Sequence, residues 1–446
     1  MRIRMPKDVR FIINTLERAG FEAYAVGGCV RDSILNREPD DWDITTCAKP
    51  EQIKGLFAKT IDTGIAHGTV TVMKNHIGYE VTTYRIDGEY EDGRHPKEVI
   101  FTSDLHKDLR RRDFTINAMA YNDRVGLVDI FGGREDIERK RIRCVGEAQC
   151  RFSEDALRMM RAVRFAAQLG YEIEENTKLA IKSMASNLKK VSAERIRVEL
   201  VKLLLSDHPG KLREMYELGL TAVFFPELDK AMVTVQNNPH HIYTVGEHII
   251  KSIEQVEKEQ VLRLTMMLHD IAKPETLTTD GEGVDHFYDH NRKGELMARD
   301  ILRRLRFDNF TIGQVSRLVR CHDDKLSLKP ARLRGYISEL GPELFEYLLK
   351  VKEADMKAQS LYRRKEKEEE LLLLQREYKK IKDAKDCLTL KELALTGRDL
   401  LSLGMKPGKE LGNLLQKLLE HVLEYPQDNE KEILKQLAEK KLQGDA

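Results

Sequence analysis

The sequence is poor in the features that mark secreted, membrane-spanning and strongly basic proteins. Its six cysteines are scattered and form no C-x-x-C pair, which argues against a disulfide framework or a zinc ribbon and predicts reduced, cytoplasmic thiols. No stretch approaches about 18 uncharged apolar residues, so we expect no membrane-spanning helix. Because 75 basic side chains face 74 acidic ones, the net charge is +1, and any surface that binds nucleic acid must be local.

The chain does contain enough apolar residues for a folded core, 41% of its 446 residues. At roughly 150 residues per domain, this length suggests about three domains. A helix is predicted over 8–19, and β-type runs separated by glycines follow it as far as about residue 150. Helical periodicity dominates from Ser153 onward. The pattern predicts an α+β head with a mixed sheet, followed by an all-α body.

Breaks in this pattern predict four segments. The head covers residues 1–150, and a helical neck over 151–226 ends where Phe-Pro interrupts the helical pattern. The next segment, 227–358, holds 7 of the 13 histidines. A helical tail, 359–446, completes the chain.

The strongest local signal is AVGGCVRD followed by DDWDI. In a strand, Asp41 and Asp43 would point to the same face. Two adjacent carboxylates repel unless a cation lies between them, and Mg²⁺ shared with substrate phosphates is the natural ion. Gly27 and Gly28 can bring backbone N–H groups to a triphosphate, and Arg31 can add a charge-assisted contact. This combination favours phosphoryl or nucleotidyl transfer over the alternative of a surface turn with two solvated aspartates.

Two further features extend this site. Glu80, on a predicted strand over 79–84, is the candidate third carboxylate of a two-metal site, although an exposed strand glutamate would be equally ordinary. The arginines at 110–112 lie between two aspartates and precede an apolar segment. That position favours phosphate or sugar contact over a solvated charge run.

A second arginine-rich stretch predicts base recognition. Spacing of three would put Asp155, Arg158, Arg161 and Arg164 along one face of a helix. Aspartate accepts a hydrogen bond from the exocyclic amino group that C and A carry, and arginine donates to a neighbouring ring acceptor. Such a pair would accept CTP and ATP and reject UTP and GTP. A surface helix with ion pairs is the alternative.

In order and spacing, these motifs resemble the class II tRNA nucleotidyltransferase and poly(A) polymerase family, which has a polymerase β-type head. The matching segments are GGCVRD with DWD, YRIDGEYEDGRHP, DLRRRDFTINAMA, EDALRMMRAVRF and AERIRVE. The resemblance is strong from residue 21 to about residue 225 and holds in outline beyond it, where 395–412 resembles the part that grips tRNA.

The resemblance implies that Asp41 and Asp43 hold Mg²⁺ and that Asp155 and Arg158 recognise the incoming base. Further nucleotide contacts would come from Gly27, Gly28, Arg31, Arg112, Arg161 and Arg164. The implied reaction is addition of C, C and A to the 3′ end of tRNA from CTP and ATP, without a nucleic-acid template and with release of pyrophosphate.

Alternatives remain within and beyond this family. Residues 84–96 resemble a flexible loop that C-only enzymes lack, and the arginine signature of the family's poly(A) polymerases is not seen. Full CCA addition is therefore favoured, while A-only addition stays open. A different class of function is an HD phosphohydrolase whose head only binds nucleotide.

The histidine-rich segment resembles HD-type metal phosphohydrolases through the adjacent pair in MLHDIAKP. The ligand set implied by this resemblance is His241, His269, Asp270, His290, His322 and Asp355, and His248 could replace His241. Imidazole and carboxylate ligands suit Mn, Ni, Fe or Zn better than Mg. The resemblance implies hydrolysis of small phosphoesters or 2′,3′-cyclic ends. A catalytically silent spacer is the alternative.

Overall fold

The computed structural model describes residues 2–88 and 99–444. It divides into two compact units, Met1–Asp229 and Lys230–Ala446, each of which we describe separately. Within the described ranges, no helix combines the length and apolarity needed to cross a bilayer.

The first unit is built around a mixed sheet. Its strands are β1 (Ala23–Val26), β2 (Ile44–Thr46), β3 (Thr60–Gly64), β4 (Thr69–Lys74), β5 (Ile77–Thr83), β6 (Arg85–Asp87), β7 (Val99–Phe101), β8 (Met119–Asn122), β9 (Gly126–Asp129), β10 (Arg141–Ile142) and β11 (Glu172–Ile173). Seven of them form one sheet in the order β3-β4-β5-β2-β1-β8-β9. The pairs β6–β7 and β10–β11 lie apart from it. The predicted mixed-sheet head is confirmed.

Helices surround this sheet and continue into the neck. They are α1 (Lys7–Arg18), α2 (Gly28–Ile34), α3 (Pro50–Leu56), α4 (Leu105–Arg110), α5 (Gly133–Glu138), α6 (Ala148–Glu154), α7 (Leu157–Leu169), α8 (Glu175–Met184), α9 (Ala193–Leu204), α10 (Leu212–Glu217), α11 (Thr221–Phe224) and α12 (Pro226–Val233). On α1, Val9, Ile12, Ile13 and Leu16 are buried, as a spacing of three and four residues requires. The helix predicted over 8–19 is thus present.

The second unit is helical apart from one hairpin. Its helices are α13 (Val245–Glu254), α14 (Gln260–Leu268), α15 (Lys273–Thr276), α16 (His290–Arg304), α17 (Asn309–Cys321), α18 (Pro330–Leu340), α19 (Pro342–Ala358), α20 (Arg364–Asp383), α21 (Gly397–Ser402), α22 (Lys409–Glu424) and α23 (Lys431–Gly444). The hairpin pairs β12 (Leu277–Thr279) with β13 (Asp285–Phe287) in antiparallel register. The expected all-α body is therefore correct except for these two short strands and for β11 in the neck. The four-segment division stays a prediction.

Strand register brings the aspartate-containing segment and β5 to the same end of the sheet. β2 pairs in parallel with β5, with Ile44 opposite Val81, so the residues just before these positions are neighbours. β1 runs antiparallel to β2, and the Val26 N–H donates to the Asp43 carbonyl at 3.0 Å. The turn after β1 therefore lies beside Asp43, and Glu80 lies beside it on the other side.

That turn requires glycine. Gly27 has φ 83° and ψ −130°, a conformation that residues with a Cβ rarely adopt. A Cβ added there would lie 3.0 Å from Nη1 of Arg112. The turn and the Arg112 guanidinium are consequently packed against each other.

Gly27→Ala should lower the free energy of unfolding by about 1–3 kcal/mol from backbone strain alone, with a further loss from contact with Arg112. Gly126→Ala is the matched control, because Gly126 has φ 85° but open space where its Cβ would lie. Urea denaturation of both variants tests this. Equal losses would show that Arg112 does not restrict this turn.

Candidate active site and histidine cluster

Three carboxylates meet at the end of the sheet. Asp41, Asp43 and Glu80 all have exposed side chains, open to a ligand. Surrounding protein still desolvates Asp43, which raises its pKa; Asp41 raises it further, and Arg112 opposes the rise. Desolvation also raises the pKa of Glu80, with Asp43 and Asp41 adding to it. Negative charge thus accumulates at this end of the sheet, and this all-oxygen set has the chemistry that binds Mg²⁺.

The backbone around these aspartates differs from the prediction. Asp41 and Asp43 do not lie in a strand, because β2 begins only at Ile44. Asp43 still contributes its carbonyl to the pairing with β1, so its position is fixed by the sheet. The two-residue spacing brings the aspartates together without a regular strand.

Arg112 links this carboxylate group to the glycine turn. Its Nη2 lies 3.7 Å from Oδ2 of Asp108, which is fully buried. Its Nε is buried without a hydrogen-bond partner among the residues the structure describes. Burial lowers the pKa of Arg112, and Asp108 opposes this effect. An anionic ligand beside Gly27 would find this guanidinium already positioned.

Arg31 is on the same side of the turn but has partners. Its Nε and Nη2 each donate to Asp32 at 2.9 Å, and its Nη1 donates to Asn117 at 2.6 Å. Gly28 begins α2, and a Cβ there would lie 3.7 Å from Nη2 of Arg31. A nucleotide contact of Arg31 would therefore add to, or replace, its hydrogen bonds to Asp32 and Asn117.

Asp155 is not on a helix face with the arginines, contrary to the prediction. The chain breaks between α6 and α7, and Asp155 has extended backbone with φ −145° and ψ 105°. Its Oδ1 accepts from the N–H of Leu157 at 3.0 Å, and its Oδ2 accepts from Arg195 at 2.7 Å. Nearby, Arg158 donates to Glu154 at 2.5 Å. The break places Asp155 and Arg158 at the start of α7.

The other two arginines of α7 hold buried or partly buried acids. Arg161 donates to Asp113 at 2.8 Å, and although burial opposes it, Arg161 and Arg158 hold the pKa of Asp113 below its ordinary value. Arg164 is only 5% exposed and donates to Glu199 on α9 at 2.8 Å. Its burial makes Arg164 an internal bracing residue here, whereas the sequence predicted a nucleotide contact.

The first part of the histidine cluster surrounds one oxygen of Asp270. Nε2 of His248 and Nε2 of His269 each lie 3.4 Å from Oδ2 of Asp270. The two Nε2 atoms are 3.2 Å apart, and Oδ1 of Asp355 is 2.9 Å from His248. Burial opposes protonation of His269, but Asp270 and Asp355 raise its pKa to about 10. This group therefore attracts positive charge.

The second part surrounds the other oxygen of the same aspartate. Nε2 of His290 and Nε2 of His322 lie 3.6 and 3.5 Å from Oδ1 of Asp270. The two Nε2 atoms are 3.2 Å apart. All three residues are buried. Asp270 thus belongs to two separate ligand groups.

Hydrogen bonds fix the tautomers of three of these histidines. Nδ1 of His269, His290 and His322 lies 2.8, 2.8 and 2.7 Å from the carbonyl oxygen three residues before it. A carbonyl only accepts, so each Nδ1 must carry the proton and donate. In the neutral rings each Nε2 lone pair then points into the cluster. Converging lone pairs and carboxylates fit a transition metal.

The local fold explains this convergence. His248 is on α13, His269 and Asp270 follow α14, His290 starts α16, His322 follows α17, and Asp355 is near the end of α19. His241 precedes α13 and stands outside both groups. Its Nε2 lies 3.4 Å from Nζ of Lys273, which is 2.7 Å from Asp270. His248 takes the position that the sequence favoured for His241.

Several residues that hold the predicted site residues in place are not predicted by the sequence. They are Asp108 behind Arg112, Asp113 behind Arg161, Arg195 on Asp155 and Glu199 on Arg164. They lie within the quoted motifs, but each is 4 to 48 residues away along the chain from the residue that it contacts. Residues 89–96 of the predicted flexible loop lie outside the described residues.

Family models match three parts of the chain. The Poly A polymerase head domain matches residues 23–143. The model described as "Probable RNA and SrmB- binding site of polymerase A" matches 170–232, and tRNA nucleotidyltransferase domain 2 matches 286–438.

Individual relatives and a solved structure agree with these models. A CCA-adding enzyme of Enterococcus faecalis is 37% identical over 438 residues, spanning 97% of this chain and 96% of that relative. A CCA-adding enzyme of Leuconostoc citreum is 54% identical over 197 residues, 44% of this chain and 49% of its own length. The crystal structure of the Bacillus stearothermophilus CCA-adding enzyme in complex with CTP superimposes with a TM-score of 0.73 at 29% identity, covering 99% of both chains.

Proposed function

The chain belongs to the family of CCA-adding enzymes, which are tRNA nucleotidyltransferases, and we propose that it adds C, C and A to the 3′ end of tRNA. The substrates would be CTP, ATP and a tRNA 3′ end, and the product pyrophosphate. The observation that carries this proposal is the group of Asp41, Asp43 and Glu80 beside a glycine turn and Arg112. Because CTP, ATP and tRNA are found in the cytoplasm, we propose that the protein acts there.

Asp41 and Asp43 would hold Mg²⁺, with Glu80 as a third carboxylate. Their exposure leaves room for an ion, and the raised pKa values of Asp43 and Glu80, to which burial and the nearby aspartates contribute, favour one. Mg²⁺ held by these carboxylates would supply positive charge to the triphosphate and favour ionisation of the attacking hydroxyl.

The chain's own cations would orient the triphosphate. Arg112, packed against Gly27, and Arg31, at the start of α2, would contact phosphate oxygens, which aligns the α-phosphate with the 3′ hydroxyl. The hydroxyl oxygen forms a bond to the α-phosphorus as the bond to pyrophosphate breaks. The buried Asp108 positions Arg112 for this task.

Asp155 and Arg158 would select the base. Asp155 would accept from the exocyclic amino group of C or A, and Arg158 would donate to the adjacent ring acceptor. Both side chains already have partners, Arg195 and Glu154. Base binding therefore requires that these residues share or exchange their hydrogen bonds. Arg161, held by Asp113, is adjacent on α7.

The neck, 151–226, and the tail, 359–446, would contact the tRNA. Matches to an RNA-binding model over 170–232 and to a tRNA nucleotidyltransferase model over 286–438 support this assignment. A relative that aligns over 96% of its own length is a CCA-adding enzyme, which favours full CCA addition over A-only addition.

A second proposed function is binding of a transition metal by the histidine cluster. His248, His269, Asp270, His290, His322 and Asp355 would be the ligands. The inward Nε2 lone pairs support it, and Mn, Ni, Fe and Zn suit imidazole with carboxylate.

Asp41→Asn should abolish nucleotide addition, a loss of at least about a thousandfold, because it removes charge that the Mg²⁺ site needs. The measurement is extension of labelled tRNA with CTP and ATP. Asp40→Asn, an exposed neighbour, is the matched control and should keep wild-type rates. Retained activity in Asp41→Asn would refute the site.

Asp155→Ala should weaken discrimination against UTP and GTP by about tenfold or more, since one base-reading acceptor contributes about 1–3 kcal/mol. The ratio of kcat/KM for CTP to that for UTP measures this, with tRNA affinity determined in parallel. Lost tRNA binding at an unchanged CTP preference would contradict the assigned role.

A further inference from the structure

We propose that Phe165 is a positioning residue for nucleotide addition, because its aromatic ring holds the guanidinium groups of Arg31 and Arg161 where they meet the incoming nucleotide. This inference rests on the proposed function, in which both arginines contact the nucleotide. It adds a residue that acts on the nucleotide only through these two cations.

Three guanidinium groups surround one aromatic ring. The central carbon (Cζ) of Arg164 lies 3.6 Å from the centroid of the Phe165 ring. Cζ of Arg31 and Cζ of Arg161 lie 5.2 and 5.3 Å from the same centroid. Phe165 is only 5% exposed, and Phe114 packs edge-on against its ring with the two centroids 5.8 Å apart. A guanidinium at such a distance is attracted by the negative face of an aromatic ring, most strongly where water is excluded.

The ring joins two helices of the first unit. Arg161 and Phe165 are four residues apart on α7 and therefore lie on the same side of that helix. Arg31 comes from α2, far earlier in the chain, directly after the glycine turn. Phe165 is thus the point at which the helix after the glycine turn meets the neck helix α7.

The N–H groups of the same three arginines bind oxygen acceptors. These acceptors are Asp32 and Asn117 for Arg31, Asp113 and Glu199 for Arg161, and Glu199 and Gln168 for Arg164. Three carboxylates therefore balance three cations. Because the donors of a guanidinium lie in its plane, the ring and the acceptors need not compete for the same part of the cation.

The cations around the ring also repel one another. Burial lowers the pKa of Arg164, Glu199 opposes this shift, and Arg161 adds to it. The negative face of an aromatic ring offsets part of such repulsion, whereas an aliphatic side chain of similar size would not. The ring thus has an electrostatic role beyond filling the core.

The contact with the ring is the one that nucleotide binding can leave in place. A phosphate that binds Arg31 has to share or replace its acceptors, Asp32 and Asn117. A nucleotide contact of Arg161 has to do the same with its carboxylate partners. Attraction to Phe165 then holds both guanidinium groups while their hydrogen bonds change. Cations held in this way lose less side-chain freedom when the nucleotide binds.

The proposed roles of the arginines define what a weaker ring contact should change. Arg31 would contact phosphate oxygens, which CTP and ATP share. Base choice is assigned to Asp155 and Arg158, which lie at the start of α7. A weaker contact should therefore impair binding of both nucleotides to the same extent and leave the preference for CTP over UTP unchanged.

Fluorinated phenylalanines in place of Phe165 test this role. Each added fluorine weakens the negative face of the ring and changes its shape little. KM for CTP and for ATP should rise stepwise from mono- to di- to trifluorophenylalanine, by about tenfold at the last step, since the series removes most of a cation–π attraction. KM for tRNA should keep its wild-type value. The measurement is extension of labelled tRNA at varied nucleotide and varied tRNA concentration.

The matched control is trifluorophenylalanine in place of Phe225. Phe225 is fully buried, but in the part of the chain that the structure describes no cation lies over its ring. This variant should keep wild-type KM values for both nucleotides. Urea denaturation checks that every variant is folded.

The outcomes separate this inference from the proposed function. Unchanged KM values for CTP and ATP across the series would show that Phe165 only fills the core, and would overturn the inference. An equal rise in KM for tRNA, or an equal effect in the Phe225 control, would overturn it as well, because the effect would then be general. Failure of the wild type to add any nucleotide would instead refute the proposed function.

Discussion

Polar side chains that could bind a cation are held close together in both sites by the surrounding fold, and this constraint organises the rest of the chemistry. In the first unit, burial raises the pKa of Asp43 and of Glu80 at one end of the sheet, and the neighbouring aspartates add to both shifts. In the second unit, imidazole lone pairs and carboxylates converge around Asp270. Folding energy from the surrounding core keeps each group in place. A divalent cation would suit both groups, with oxygen ligands at one site and mainly imidazoles at the other.

Buried acids hold arginines in and around the first site. Asp108 lies behind Arg112, Asp113 behind Arg161, and Glu199 behind Arg164. An arginine held in this way loses less side-chain freedom when it meets a triphosphate or base. The neck helix α7 would therefore serve two purposes, because one of its faces braces the protein while its first turn carries Arg158, the proposed contact to the base.

The sequence predicted the local elements better than the contacts between distant residues. The mixed sheet, α1 and the site-forming turn follow from β-type runs, a 3.6-residue period and Gly-Gly. The break at Asp155 could not be predicted, because EDALRMM favours a continuous helix and the opposing contact comes from Arg195, 40 residues later. The burial of Arg164 depends on Glu199 in the same way. His248, rather than His241, lies in the ligand cluster because α13 starts at Val245 and turns His248 inward. The apolar pattern of the sequence does not fix where this helix begins.

Extension of three tRNA transcripts tests the central claim most directly: one ending at the residue before CCA, one at C and one at CC. Each is incubated with Mg²⁺ and CTP, ATP or both. We predict that all three reach a complete CCA end with both nucleotides, and that CTP alone extends the first two only as far as CC. Extension of the CC-ended transcript alone, by a single A, would contradict CCA addition and identify an A-adding enzyme.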